Sequence, residues 1–275
     1  MINPVSQPVS QDSHAPGGRA AHPGTRADHG LWLRRYHPVP GAAVRLVCCP
    51  HSGGSASYYQ PLSAALSPTV EAIAVQYPGH QDRRAEPLVG DLRELAARLV
   101  EVLAEEPGPL ALFGHSMGAM LAFEAARQLE AGGREIAALF VSSHRAPAVH
   151  RDEGLHRTSD ADLLHEVRRL SGTDLDLLDD DDIVQMVLPV IRNDTRAVET
   201  YRHDAANDPV LGCPITALMG TSDPRVTLTE ADRWRAHTSG RFALHTFPGG
   251  HFYLNVHTAA LGRLMSARLT GGLDE

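Results

Sequence analysis

Three residues able to carry out acyl transfer occur in the order serine, aspartate, histidine: Ser116, Asp223 and His251. Ser116 is the centre of Gly114-His115-Ser116-Met117-Gly118. An apolar run over residues 109–113 leads in, and a stretch rich in helix formers, 119–127, leads out. That pattern reads as strand, sharp turn, helix, with the serine at the apex. Both glycines suit a crowded turn, where a side chain would strike the neighbouring strand or helix. The serine is then held in a strained conformation with its hydroxyl projecting, above a helix N-terminus that favours developing negative charge.

A serine hydroxyl alone is a poor nucleophile. It needs a base to take its proton and a third group to orient that base. Asp223 lies in Met219-Gly-Thr-Ser-Asp223-Pro224, a loop at a strand end, with Pro224 stopping further pairing. His251 lies in Phe247-Pro-Gly-Gly-His251, a glycine-rich turn after the last strand. Among sixteen histidines it stands out by chain order, loop position and flanking glycines. His245 falls in a strand and His257 in a helix. Asp208 precedes its strand, and Asp232 is inside a helix. Acyl chemistry also needs donors for a tetrahedral oxyanion. The backbone N–H of Met117 is one. Ser52 N–H is the other, in the loop His51-Ser52-Gly53-Gly54, where glycines let the backbone turn inward. His51 reads as a loop-ordering side chain and not as a second base. No Cys-x-x-Cys, His-Glu-x-x-His or phosphate-loop pattern occurs, so no metal or nucleotide cofactor is implied.

These residues must be positioned by strands. Apolar runs at 44–49, 70–76, 109–113, 136–142, 214–219 and 242–247 alternate with helical stretches. The fold class is therefore α/β, a mostly parallel sheet covered on both faces. Residues 31–36 are expected as an edge strand, and 1–29 as a disordered tail. The rhythm stops between 145 and 203, where two helical segments appear at 160–170 and 183–201, the second carrying Pro189 as an expected kink. This reads as a helical lid over the strands' C-terminal edge, dividing the core into 30–144 and 204–275. Its apolar positions are Leu163, Leu164, Val167 and Leu170 on one helix and Ile183, Met186, Val187 and Ile191 on the other. Met186 is taken as an inward, substrate-facing residue. The acidic run at 174–182 reads as solvated loop.

The bounds agree. A chain of 275 residues, 43% hydrophobic, can bury one large core. No apolar run approaches the ~20 residues of a membrane span, and no secretory signal is visible at the N-terminus. Three cysteines, two adjacent, cannot make a disulfide framework and fit a reducing cytoplasm. A formal charge of −8 argues against a general nucleic-acid binder. A monomer is expected.

Six blocks together resemble a specific group. They are Cys49-Pro-His-Ser-Gly-Gly-Ser-Ala-Ser57, Val75-Gln-Tyr-Pro-Gly-His-Gln-Asp-Arg83, Gly114-His-Ser-Met-Gly-Ala119, Leu188-Pro-Val-Ile-Arg-Asn-Asp194, Gly220-Thr-Ser-Asp223 and Pro248-Gly-Gly-His-Phe252. The chain resembles the discrete type II thioesterases that accompany polyketide and nonribosomal peptide synthetases. The resemblance implies an α/β-hydrolase with a helical lid, cleaving acyl thioesters from the phosphopantetheine arm of acyl or peptidyl carrier proteins, often as editing. It carries the triad onto Ser116, Asp223 and His251, and the oxyanion donors onto Met117 and Ser52. Ser52 stands where relatives often have alanine, a change to which a backbone donor is indifferent. No carrier-protein Gly-x-Asp-Ser serine is present, so a free-standing hydrolase is expected. Two rivals remain open: a carboxylester or peptide hydrolase on the same fold, and a non-catalytic partner protein.

Overall fold

A computed structural model describes residues 26–151, 153–171, 181–204 and 208–271. The expected tail up to residue 25 and most of the acidic run fall outside these residues. A helix α1 (Arg26–Trp32) precedes a two-residue strand β1 (Leu33–Arg34). The edge strand expected over 31–36 is thus shorter, and helix reaches into the expected tail. Trp32 ends α1, buried beneath the Arg83 guanidinium 4.8 Å from its ring. Its carbonyl accepts Gln76 N–H at 2.7 Å, which docks β1 antiparallel on its neighbour. A very short edge strand offers little for another chain to pair with.

The body alternates as the apolar runs require. It comprises β2 (Arg45–Cys49), α2 (Gln60–Leu66), β3 (Glu71–Val75), α3 (Leu92–Leu103), β4 (Leu110–His115), α4 (Met117–Ala131) and β5 (Ile136–Ser142). After the lid helices α5 (Asp160–Ser171) and α6 (Asp181–Thr200) come β6 (Ile215–Gly220), α7 (Leu228–Asp232), β7 (Phe242–Phe247) and α8 (Leu254–Leu269). The seven strands lie in the order β1-β3-β2-β4-β5-β6-β7, all parallel except β1. Every residue of β3, β4 and β6 is buried, as expected for strands covered on both faces.

Alternate residues feed two cores. Val47, Ile73, Leu112 and Leu139 pack with Leu95 and Leu99 of α3 and Met120 and Phe123 of α4. Leu46, Ala72, Phe113 and Phe140 pack on the other face with Leu62 and Leu66 of α2 and Leu261 and Met265 of α8. Asp91 caps α3 by accepting Glu94 N–H at 2.9 Å. Because the strands are parallel, their C-terminal ends share one edge, where the loops after β2, β3, β4, β5, β6 and β7 converge. The lid spans β5 to β6, and Leu163, Leu188 and Ile191 form its own small core. Helix α6 runs through Pro189, at an exposed position, without ending there. Among the described residues no helix is long and apolar enough to cross a membrane.

The tightest packing lies where α4 leaves β4. A Cβ on Gly118 would overlap the Cys49 carbonyl, and one on Gly114 would overlap the Gly118 carbonyl. Backbone on both sides leaves no flexible group to give way. Gly118→Ala is therefore expected to destabilise at or above the roughly 1–3 kcal/mol typical of overpacking. Gly212→Ala, whose Cβ would meet only the Glu130 carboxylate at 3.7 Å, should stay within about 0.5 kcal/mol of the parent. Urea unfolding of the two variants checks the contrast.

Candidate active site

Ser116 sits at φ 54°, ψ −121°, between the end of β4 and the start of α4. A non-glycine residue holds that conformation only when its surroundings dictate it. Here Ser116 N–H donates to the Ser142 carbonyl at 2.8 Å, and its own carbonyl accepts Ala119 N–H at 2.9 Å. The side chain is thereby turned into a cavity of about 390 Å³ that His251 also lines.

The acid and base loops are stitched to each other. Thr221 N–H donates to the Phe247 carbonyl at 2.8 Å and Ser222 N–H to the Gly249 carbonyl at 2.8 Å. Gly249 adopts φ +124°, a value that L side chains rarely reach. A Cβ on Gly220 would overlap the Gly250 carbonyl, so glycine also permits this close approach. His251 Nδ1 then donates to both oxygens of Asp223, at 3.0 and 3.1 Å. Burial alone would raise the Asp223 carboxyl. The hydrogen bond and charge of His251, the Arg225 N–H at 2.9 Å and the Ser143 hydroxyl more than offset it and hold the group below its ordinary range. Asp223 is therefore ionised and faces an imidazole whose far edge opens on the cavity. Ser143, which the sequence did not single out, also lines the cavity, adopts φ 51° and donates from Oγ to the His251 carbonyl at 3.1 Å.

The loop after β2 is pinned from beneath, where Tyr59 Oη donates to the Cys49 carbonyl at 2.8 Å and Tyr77 Oη to the Pro50 carbonyl at 3.0 Å. Gly54 N–H is committed to the His51 carbonyl and Gly53 N–H to the Asp194 carboxylate. Ser52 N–H and Met117 N–H have no partner among the described residues, and both residues line the cavity with Ser116. The other candidates are engaged elsewhere. His51 packs edge-on against Tyr58 and Phe252, and burial, with His251 and His80 nearby, lowers its pKa to about 3. His115 hydrogen-bonds Ser142 Oγ, which bonds Tyr253 Oη, a buried chain away from the cavity. His245 lies in β7 and His257 in α8. Asp208 pairs with Arg93 and Arg127, and Asp232 with Arg235.

The lid walls the cavity with Leu163, Val167 and Leu170 from α5 and Ile183, Val187 and Ile191 from α6. Met186 is not among the lining residues and is 58% exposed. The expectation that it faces inward is corrected: the inward stripe recurs every fourth residue at 183, 187 and 191, and 186 lies about 100° of helix rotation from 187. Asp194, the last residue of the Leu188–Asp194 block, is buried and bonded to Gly53 N–H and His80, a role the sequence did not assign.

The thioesterase-domain family model matches residues 44–269. Thioesterase PikA5 of Streptomyces venezuelae is 52% identical over 233 residues, covering 83% of this chain and 82% of that protein. A probable cadicidin biosynthesis thioesterase of Streptomyces griseus is 45% identical, covering 94% of this chain and 72% of that one. Among solved structures, the type II thioesterase BorB from the borrelidin biosynthetic cluster superposes with a TM-score of 0.81 at 49% identity, covering 87% of this chain and 98% of that one. YbtT, a type II thioesterase from the yersiniabactin pathway, superposes at 0.80 and 29% identity, covering 88% and 99%.

The geometry makes Ser116 the expected site of a fluorophosphonate adduct, located by mass spectrometry of the labelled peptide. Asp223→Asn should slow that labelling by orders of magnitude, since an amide disfavours the imidazole tautomer that can accept the serine proton.

Proposed function

The chain belongs to the thioesterase family, and from that premise we propose that it hydrolyses acyl groups from the phosphopantetheine arm of acyl or peptidyl carrier proteins, as an editing enzyme of polyketide or nonribosomal peptide synthesis. The observation that carries the reading is that Ser116 and His251 open into one lid-walled cavity while Asp223 grips His251 from behind.

Ser116 Oγ attacks the thioester carbonyl as His251 Nε2 takes its proton. Asp223 holds the ring and stabilises the imidazolium. Ser52 N–H and Met117 N–H receive the oxyanion, with the positive end of α4 behind them. The tetrahedral intermediate collapses as His251 passes its proton to the departing sulfur, which leaves as the thiol and, with an ordinary pKa near 8.5, needs less protonation than an alkoxide. Water, deprotonated by His251, then attacks the acyl-serine and releases the acid, returning the proton to Ser116. The lid's apolar wall suits an acyl chain and keeps bulk water from it.

A pantetheine arm is long and thin, so it can enter the cavity while its carrier stays outside. The similarity to BorB and YbtT, type II thioesterases of biosynthetic pathways, supports the carrier-directed reading. The three cysteines are free and buried, which supports a cytoplasmic setting. We take the working unit as a monomer.

Two outcomes test this. Ser116→Ala is expected to lose at least about a thousandfold in turnover while folding normally, because it removes one hydroxyl at the turn's apex; retention of activity removes Ser116 from its role. Carrier-bound substrate should exceed the same acyl group on a minimal thiol in kcat/KM, and Val187→Asn should cost more on medium chains than on acetyl. Equal rates on both substrates with no chain-length effect would favour a general esterase.

A further inference from the structure

His80 ends the loop after β3 and is 4% exposed, while Asp194 of α6 is 2% exposed. His80 Nε2 lies 2.9 Å from Asp194 Oδ2, and His80 Nδ1 lies 2.9 Å from the Pro78 carbonyl. The carbonyl can only accept, and Asp194 Oδ2 already accepts Gly53 N–H at 2.8 Å. Both ring nitrogens therefore donate, and His80 is an imidazolium. Asn193 Nδ2 steadies the other carboxylate oxygen at 3.3 Å while also bonding the Val89 carbonyl.

The pair is anchored in the oxyanion loop itself. Gly53 adopts φ +72°, and a Cβ there would lie 2.6 Å from Ile191 Cγ1 of the lid. Glycine is thus required both by the backbone and by the lid's approach. One carboxylate on α6 connects the lid to the peptide beside Ser52. We propose that His80 and Asp194 are positioning residues: their ion pair fixes Gly53 N–H, aims the adjacent Ser52 N–H at the substrate carbonyl, and holds α6 in place over it. The inference rests on the oxyanion role given to Ser52 above.

The device depends on pH. Burial alone would push His80 toward its neutral form. The Asp194 hydrogen bond and charge and the Pro78 carbonyl outweigh that, with Arg83 opposing, and its pKa is raised. Tyr77, from the same loop, packs T-shaped on the ring with centroids 5.3 Å apart, and His51, from the oxyanion loop, is itself held neutral. A raised histidine pKa means the charged pair is fully present below the ordinary value near 6.5 and is lost as pH rises through the higher folded value. Lysines and thiols do not overlap that window. The chain has no lysine, all 25 residues of that class being arginine, and burial raises the three thiols.

The test measures kcat and KM from pH 6 to 10 on an acyl thioester of a small thiol, for the parent, His80→Gln and Asp194→Asn. The parent should lose kcat on the alkaline side. In His80→Gln that limb should vanish, with kcat about tenfold or more lower, within the range for a weakened oxyanion donor, and KM within about threefold. Asp194→Asn should move the limb to lower pH. Affinity for a trifluoromethyl ketone, which forms the oxyanion adduct, should fall in parallel with kcat. An alkaline limb retained in His80→Gln would belong to another pair, such as His156–Glu199 beside the same cavity, and would overturn the proposal. So would kcat within twofold of the parent in both variants. Should the variants not fold, nitrogen-15 NMR of His80 in the parent decides: two protonated nitrogens at pH 7 support the proposal and a neutral ring sinks it. Ser116→Ala separates the readings, since an inactive Ser116→Ala beside fully active His80 and Asp194 variants removes only this inference.

Discussion

The site depends on one close approach, the backbone of α4's first turn against the end of β2. Gly118 lies so near the Cys49 and Pro50 carbonyls that only hydrogen fits on its Cα. The contact draws the N-terminus of α4 under the loop that carries Ser52, which brings to one cavity two N–H groups from distant parts of the chain, both without a partner among the described residues. It also tightens the turn until Ser116 adopts φ 54°. The strain, of order 1–3 kcal/mol for such a residue, is sustained by the buried strands on either side. Removing the crowding would relax the serine and separate the donors together.

Around that turn the structure keeps positive charge away from His251. His115 lies 5.1 Å from His251, centroid to centroid, and an imidazolium there would oppose a second one by about 3 kcal/mol at an effective dielectric of 20. Burial instead holds His115 well below its ordinary pKa, and lowers His51 and His144 to about 3. The arginines near the cavity, Arg145 and Arg225, pair with Glu153 and Glu166. Asp223 is then the ionised partner that His251 meets directly.

What was legible in the sequence follows from how local each signal is. The turn at Ser116, the aspartate after β6 and the histidine before α8 are each marked by glycines or proline within a few residues, and strand order does the rest. Ser52 could be named because two glycines follow it. Asp194, although it ends one of the blocks that carry the resemblance, could not be given its role, since its partner Gly53 is 141 residues away. Met186 was misjudged because α6 is apolar at 183, 186, 187 and 191, and a helix pattern alone does not say which side meets the cavity. The strand expected over 31–36 shrank because Trp32 completes a helix turn before the chain joins the sheet.

Helix α6 changes character along its length. Its first half offers Ile183, Val187 and Ile191 to the cavity. Beyond Ile191 it is tied down by buried polar groups. Asp194 grips Gly53 and His80, Glu199 accepts the N–H groups of Leu155 and His156, and Tyr201, just past its end, donates to the fully buried Glu124 of α4 at 3.0 Å. Breaking any of these leaves an uncompensated buried charge or donor. Helix α5 is joined to α6 by Arg192, which donates to Asp160 at 2.6 Å, and to the loop after β6 by Glu166, which accepts from Arg225 at 3.1 Å. The polar ties of α6 lie beyond the apolar stripe that lines the cavity, and Ile191, at the boundary, is the residue that approaches Gly53 of the loop after β2.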